Sequence, residues 1–489
     1  IAVDVGGTTR YATYTSGTGT NALTFTLSPQ AGDVDLDGVT VSSPIDLNGG
    51  TITDLKGNPL SSLTFTPPGT TNVKVNYPSL SLDFIYDADG RYSLNGTVYN
   101  DLTSFLSAAG GSFTRASVGT YYDSTGTLQT AASDAPRFDY DPVTHTPKGI
   151  LIEESRTNLA TYSTRMDNAA WFFGGTKTTG GTAPDGSTNA TYLSGPSAPT
   201  TASRLIAGAA TATTMTYSVY AKYVSGGAVR AFLLRNSTTA TNFNGCSFNL
   251  STGTISSGCT GWTITSIGNG WYRLAYTQST GITVGDGLGI YFGNTGAALV
   301  AGDSWMVWGA QLEAGAFATS FIPTTTATVT RANDILSIPT GGWFSLPHST
   351  LFLQATAFGP ESSGRFGAGF GASSNDYFAF PYVSTTGVPI SLYYRSGGAG
   401  PVLNGTPTLS FNTLYKTAGS YSVPDNVASY AKNGAIPATG SGVSAMTSAT
   451  TLYVGTAPFS APNATSGYYQ KLKYYPARVT DTQLQLLTQ

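Results

Sequence analysis

Apolar and polar residues alternate with period two in short runs along the chain. Leu23-Thr24-Phe25-Thr26-Leu27, Val73-Lys74-Val75-Asn76-Tyr77, Tyr217-Ser218-Val219-Tyr220 and Leu351-Phe352-Leu353-Gln354-Ala355 all follow it. Successive side chains of a strand point to opposite faces, so this period predicts strands with one face buried. Turn tokens separate the runs at Asn48-Gly49-Gly50, Asn95-Gly96, Asn404-Gly405 and Asn433-Gly434. Asn-Gly supplies the two positive φ angles of a type I′ hairpin turn. Helical periodicity is scarce. Asp101 to Ala109 followed by Gly110-Gly111 reads as one short capped helix, and Asp481 to Leu487 as a turn or two more. The pattern predicts an all-β protein of tandem β-sandwiches.

Shifts in composition divide the chain into four segments. Residues 1–76 form a β-rich unit that ends near Pro67-Pro68-Gly69. Residues 77–149 read as a connector that carries the short helix. Residues 150–325 hold a dense β pattern and five of the six tryptophans, and residues 326–489 form a last β unit. One internal echo stands out. Phe113-Thr114-Arg115-Ala116 and Val329-Thr330-Arg331-Ala332 share Thr-Arg-Ala, each ahead of a new segment, and read as a repeated joint.

Composition then narrows the chemistry. The chain has 489 residues, of which 10% are charged, and a net charge of -3. No dense basic stretch exists, so a nucleic-acid surface is not expected. No run of about 18 apolar residues exists, so membrane insertion is not expected either. The chain starts at Ile1 and not Met, which suggests a piece of a longer protein. Two histidines, His145 and His348, fall in different segments and offer no nucleophilic triad. Glu153 and Glu154 are adjacent, so on a strand they face opposite sides and cannot flank one glycosidic bond. One of them is expected to pair with Arg156 or to cap a strand end. The reading is therefore of a protein that is not an enzyme.

Three further constellations have two readings each. Asp33, Asp35 and Asp37 alternate as in calcium loops, but the residue eleven after Asp33 is Pro44, which excludes an EF-hand. A looser Ca2+ site, the one cofactor considered, and an acidic turn held by Asx bonds both remain. Cys246 and Cys259 face each other across a hairpin if the turn is Thr252-Gly253, as a disulfide or as two small apolar residues. Most tryptophans read as core. Trp305 and Trp308 lie three apart, so one of the two, Trp305, is a candidate for an exposed sugar-stacking face. In the last unit Tyr377, Tyr393, Tyr394 and Arg395, with Asn433, form the candidate ligand-binding group, because Tyr and Asn make adaptable contacts at low entropy cost; ordinary strand packing is the other reading.

A family resemblance adds to this. Ser81-Leu82-Asp83-Phe84, the stretch Ala108 to Ser117, Pro136-Arg137-Phe138-Asp139-Tyr140-Asp141 and the run Gly149 to Leu159 resemble a module of tailed-bacteriophage fibre proteins. Gly270-Trp271-Tyr272-Arg273 and the run Trp308 to Gly315 resemble the jelly-roll, carbohydrate-binding-module-like sandwich of tail fibres and head spikes. Ala431-Lys432-Asn433-Gly434 and Leu472 to Thr480 resemble concanavalin-like, laminin-G-like sandwiches. Gly32 to Val39 resembles an Ig-like repeat. The resemblance implies an external virion fibre, tail or head, that adsorbs to host cell-surface polysaccharide without cleaving it. Its implied partners are that glycan, other virion proteins and two further copies of itself in a homotrimer. A glycan depolymerase tailspike and a bacterial surface adhesin are the alternatives. Assembly in a reducing cytosol would leave the two cysteines unbridged.

Overall fold

Alternation of the kind described above becomes strands throughout the computed structural model, which describes residues 1–85, 87, 91–195, 203–256, 258–293, 300–359, 365–382, 391–405, 410–456 and 465–489. Two short helices interrupt the strands among these residues. The first, Leu102–Ala109, is N-capped by the Asp101 side chain on Ser104 N and closed by Gly110 in the left-handed region at φ 66°. The second is Asp481–Leu487. Asn95 and Gly96 take φ values of 47° and 82° between strands Tyr92–Leu94 and Thr97–Tyr99, as the hairpin token requires.

The last sandwich recruits strands from both ends of the chain. Its ten-stranded sheet is centred on Gly467–Tyr475. That strand pairs with His348–Ala357 on one side, and with Leu80–Asp83 and Pro147–Ile152 on the other. The facing seven-stranded sheet pairs Ser112–Thr114 with Ile335–Pro339. Leu80, Leu82, Phe105 and Ile150 share one buried core with Leu336, Phe370, Tyr421 and Leu472. The segment expected as a connector therefore supplies sheet and core. Its alternating Leu80-Ser81-Leu82 needs an apolar partner face, and the last sandwich provides one.

The middle sandwich is an insertion. Arg156–Asn158 pairs antiparallel with Val329–Arg331, which forms a two-stranded neck through which the chain leaves and returns. Between them lie a seven-stranded and a six-stranded sheet. Trp171, Trp262, Trp305, Leu274 and Ile290 fill the space between the sheets. The outer face of the six-stranded sheet is covered as well. Trp308, Trp271 and Tyr220 on that face pack against Leu128 of the hairpin Gly119–Tyr122/Leu128–Ala131 and against Phe321.

Residues 1–76 form three small sheets around Val3, Val5, Val39 and Val75. They dock on the last sandwich through Val34 against Tyr475 and Leu484, and through Asp37 accepting a 2.6 Å hydrogen bond from Gln483. Cys246 and Cys259 form a disulfide, contrary to the reduced state that cytosolic assembly implies. The turn between them is not Thr252-Gly253. Asn249 pairs with Thr254, so the loop is longer and Cys259 lies beyond the ladder.

Candidate functional site

The Thr-Arg-Ala echo marks the joint between the two sandwiches. Arg115 and Arg331 are both buried to 1% exposure, and Arg137 is fully buried. They surround two carboxylates that are also fully buried. Asp334 pairs with Arg115 at 2.9 Å and with Arg137 at 2.5 Å. Glu153 pairs with Arg137 at 2.7 Å and with Arg331 at 3.1 Å. Ser320 donates both its N–H and its hydroxyl to Glu153. Burial alone would raise the Glu153 carboxyl. The Arg331 and Arg137 charges and the Ser320 hydrogen bonds overcome it and hold the group at about 2. Glu154 lies between the strands Pro147–Ile152 and Arg156–Asn158, and its carboxylate pairs with Arg156.

Beside this joint a cleft of about 940 Å³ opens between the sandwiches. Its floor is the outer face of strands Trp262–Ser266 and Trp271–Gln278, where Thr265 lies directly opposite Arg273 and Thr263 opposite Ala275. Its other wall comes from the ten-stranded sheet and adjoining loops, with Asp139, Lys148, Phe358, Asn412, Tyr468 and Gln470. Phe358 meets Tyr468 edge to face at 4.8 Å, and the Lys148 ammonium lies 5.3 Å from the Tyr468 ring centre. Aromatic faces beside hydroxyl, amide and cationic groups suit a ligand with apolar C–H faces and many hydroxyls.

Two carboxyl groups border the cleft with opposite tendencies. Burial raises Asp139 above the usual carboxylate range, against Lys148 and the Tyr468 hydrogen bond, which lower it. Its Oδ2 accepts from Tyr468 at 2.6 Å and its Oδ1 from Tyr122 N at 2.6 Å. Glu153 is held low by its arginines. A raised acid beside an ionised carboxylate is the division of labour that glycosidases use. Here, however, all four oxygens already accept hydrogen bonds from the protein.

The residues singled out in the sequence lie elsewhere. Trp305 is 1% exposed, edge-on to Phe173 in the middle core, so it is not the exposed member of the Trp305/Trp308 pair. Trp308 is equally buried, because the hairpin and Phe321 cover the second face of the sheet. Tyr394 is fully buried and donates its hydroxyl to Ser444 O. Strand alternation puts Tyr377, Tyr393 and Arg395 on the opposite, outer face, where Tyr377 is cross-strand to Arg395 and the Arg395 guanidinium lies 5.4 Å from the Tyr393 ring centre. Tyr377 is itself buried. Asn433 sits in an exposed turn at φ 47°, and its Oδ1 accepts from Lys416 N at 2.8 Å.

The Asp33, Asp35 and Asp37 carboxylates are directed at separate protein donors. Asp33 pairs with Arg10 at 2.6 Å, Asp35 accepts from Gly6 N and Gly38 N, and Asp37 accepts from Gln483. Contacts of this kind hold an acidic turn. Among the described residues no group of three or more His, Cys, Asp or Glu could hold a metal ion. No helix among them is long and apolar enough to cross a membrane.

Sequence reasoning missed Tyr122, Lys148 and Tyr468 altogether. Asp139 and Arg273 lay inside family words and carried no separate signal. Comparison with known proteins adds fold likeness only. No family model matches the chain, and no curated protein does. Among solved structures, NanB sialidase from Streptococcus pneumoniae aligns at 14% identity over 30% of this chain and 25% of its own length, with a TM-score of 0.27. The carbohydrate-binding module CBM40 of the Ruminococcus gnavus IT-sialidase, bound to α2,3-sialyllactose, aligns at 12% identity over 30% of this chain and 84% of its own, with a TM-score of 0.26. Domain 4 of the arabinanase AbnA from Geobacillus stearothermophilus, in complex with arabinotriose, aligns at 16% identity over 35% and 82%, with a TM-score of 0.26. These are β-sandwich neighbours, and at such scores none carries a function across.

Proposed function

We propose that the chain binds a glycan without cleaving it, in the cleft between its two large sandwiches. The observation that carries this reading is the cleft itself. It is large enough for several sugar rings, walled by Phe and Tyr, and floored by Thr and Arg. The engagement of every oxygen of Asp139 and Glu153 supports a non-catalytic role. The finer reading is a bacteriophage fibre subunit that adsorbs to host surface polysaccharide. It rests on the sequence words, most of which lie at the joint or in the sheets it connects, and a fixed joint suits a load-bearing rod.

A second reading, the depolymerase, draws on the same wall, because Asp139 is raised and Glu153 is ionised. One experiment separates the two. The purified chain is incubated with extracted host polysaccharide, and both retention and released oligosaccharide are measured. Retention without release is expected. Release that Asp139→Asn abolishes would replace the binding reading with the depolymerase.

A further inference from the structure

Arginines at the joint make ion pairs with carboxylates, whereas the one on the cleft floor makes none among the described residues. Arg273 donates Nη2 to Ser218 Oγ at 2.9 Å and to Thr319 O at 2.7 Å, and both acceptors are neutral. Its Nε is buried without a partner. Among the described residues its Nη1 has no hydrogen-bond partner and, unlike Nε, it is not sealed off. Thr319, which helps to hold the guanidinium, also donates its N–H and hydroxyl to the fully buried Glu313.

Behind the floor, Arg115, Arg137 and Arg331 make their ion pairs with Glu153 and Asp334, and the Glu313 and Glu153 charges act on Arg273 without an ion pair. In the far wall Lys148 lies 3.7 Å from Asp141, and Asp139 is capped by Tyr468 and by Tyr122 N. Among the described residues Arg273 is therefore the arginine of this set that hydrogen-bonds only to neutral groups. An arginine held by neutral groups, with an open donor on a cleft floor, matches an anionic acceptor better than a hydroxyl, because charge-assisted hydrogen bonds are roughly twice as strong as neutral ones.

We infer that the cleft selects acidic saccharides, and that Arg273 Nη1 binds the carboxylate of the sugar. This rests on the glycan-binding reading and narrows it to a ligand class. The ring of such a sugar would lie over Thr263 and Thr265, and its apolar face would meet Phe358 and Tyr468.

The test is a printed array of uronate- and sialate-bearing glycans beside neutral glucans, mannans and galactans, probed with the full chain. Arg273→Gln, Arg273→Lys and a control, Arg235→Gln on the other sheet, are compared, with folding checked by circular dichroism and thermal midpoint. Acidic glycans are expected to dominate the bound set. Their affinity should fall about tenfold or more in Arg273→Gln and less in Arg273→Lys, which keeps the charge but loses the planar fork, while Arg235→Gln leaves it unchanged. Binding of neutral glycans with equal affinity for Arg273→Gln would overturn the inference and leave the glycan reading standing. Binding of no glycan at all would overturn both. If Arg273→Gln unfolds, Arg273→Lys decides: undiminished acidic binding would overturn the role of the guanidinium.

Discussion

The joint and the cleft lie side by side between the same two sandwiches and use the same residue types to opposite ends. At the joint, Arg115, Arg137 and Arg331 close on Asp334 and Glu153 with no exposed side chain among them. In the cleft, Arg273 and Lys148 share a space with tyrosines and threonines, and among the described residues Arg273 makes no ion pair. A buried charge is tolerated only when paired and hydrogen-bonded. The paired set can therefore only hold the sandwiches together, while the unpaired arginine can still bind something. The difference separates a structural arginine from a ligand-seeking one more reliably than burial or sequence context does.

The strongest way to break the comparison is at Asp334, which serves two arginines at once. Asp334→Asn removes the negative charge between Arg115 and Arg137, which strips Arg115 of its ion pair and leaves Arg137 and Arg331 sharing Glu153. A loss of about 3–5 kcal/mol is expected in urea denaturation, as for other buried pairs deprived of one partner. Stability falling by less than about 1 kcal/mol would mean that water reaches the joint, and the contrast with the cleft would fail.

Acid tests the same network without mutation. The folded-state value of Glu153, about 2, lies below its ordinary 4.5. Ionisation of this group therefore stabilises the fold fully above pH 4.5, and the contribution is lost as pH falls from 4.5 through about 2. The expected size is on the order of 3 kcal/mol. Burial raises Asp139, so its effect has the opposite sign: the folded state takes up its proton first as pH falls, which offsets part of the loss. Stability measured from pH 6 to pH 2 should show the Glu153 slope. Glu153→Gln should start lower and lack that slope. An unchanged slope would assign acid sensitivity to other carboxylates.

What was legible in the sequence follows this division. Local rules recovered the Asn95-Gly96 hairpin, the Asp101-capped helix and the strand alternation, because each is set by neighbours within a few residues. The Thr-Arg-Ala echo even located the joint. The insertion was not legible. Phe113 pairs with Leu336, and the residues between them include a sandwich whose own strands look just as regular. Tyr394 was misplaced by treating adjacent tyrosines as one cluster, although period two sends Tyr393 and Tyr394 to opposite faces. Trp305 was misjudged because it faces the core between the two sheets, and the opposite face, which carries Trp308, is covered by a hairpin from outside the middle sandwich. The cleft combines side chains from residue 120 to residue 470, and no spacing rule reaches across that distance.

The smallest change sharpens the comparison from the cleft side. Thr265 is exposed and lies cross-strand from Arg273, with its side chain on the cleft floor. It contributes no side-chain hydrogen bond to the joint, so Thr265→Ala should alter stability by no more than about 0.5 kcal/mol. If a sugar hydroxyl rests on it beside the Arg273-bound carboxylate, the same change should weaken acidic-glycan binding by about 1 kcal/mol, the net value of one neutral hydrogen bond. Denaturation and titration on the same preparation check both numbers. At the joint, stability and binding should fall together, because the walls of the cleft are held by that network. On the floor they should separate. A Thr265→Ala protein that lost stability but kept its affinity would reverse the assignment of the two regions, making the floor structural and leaving the ligand to be sought on another face.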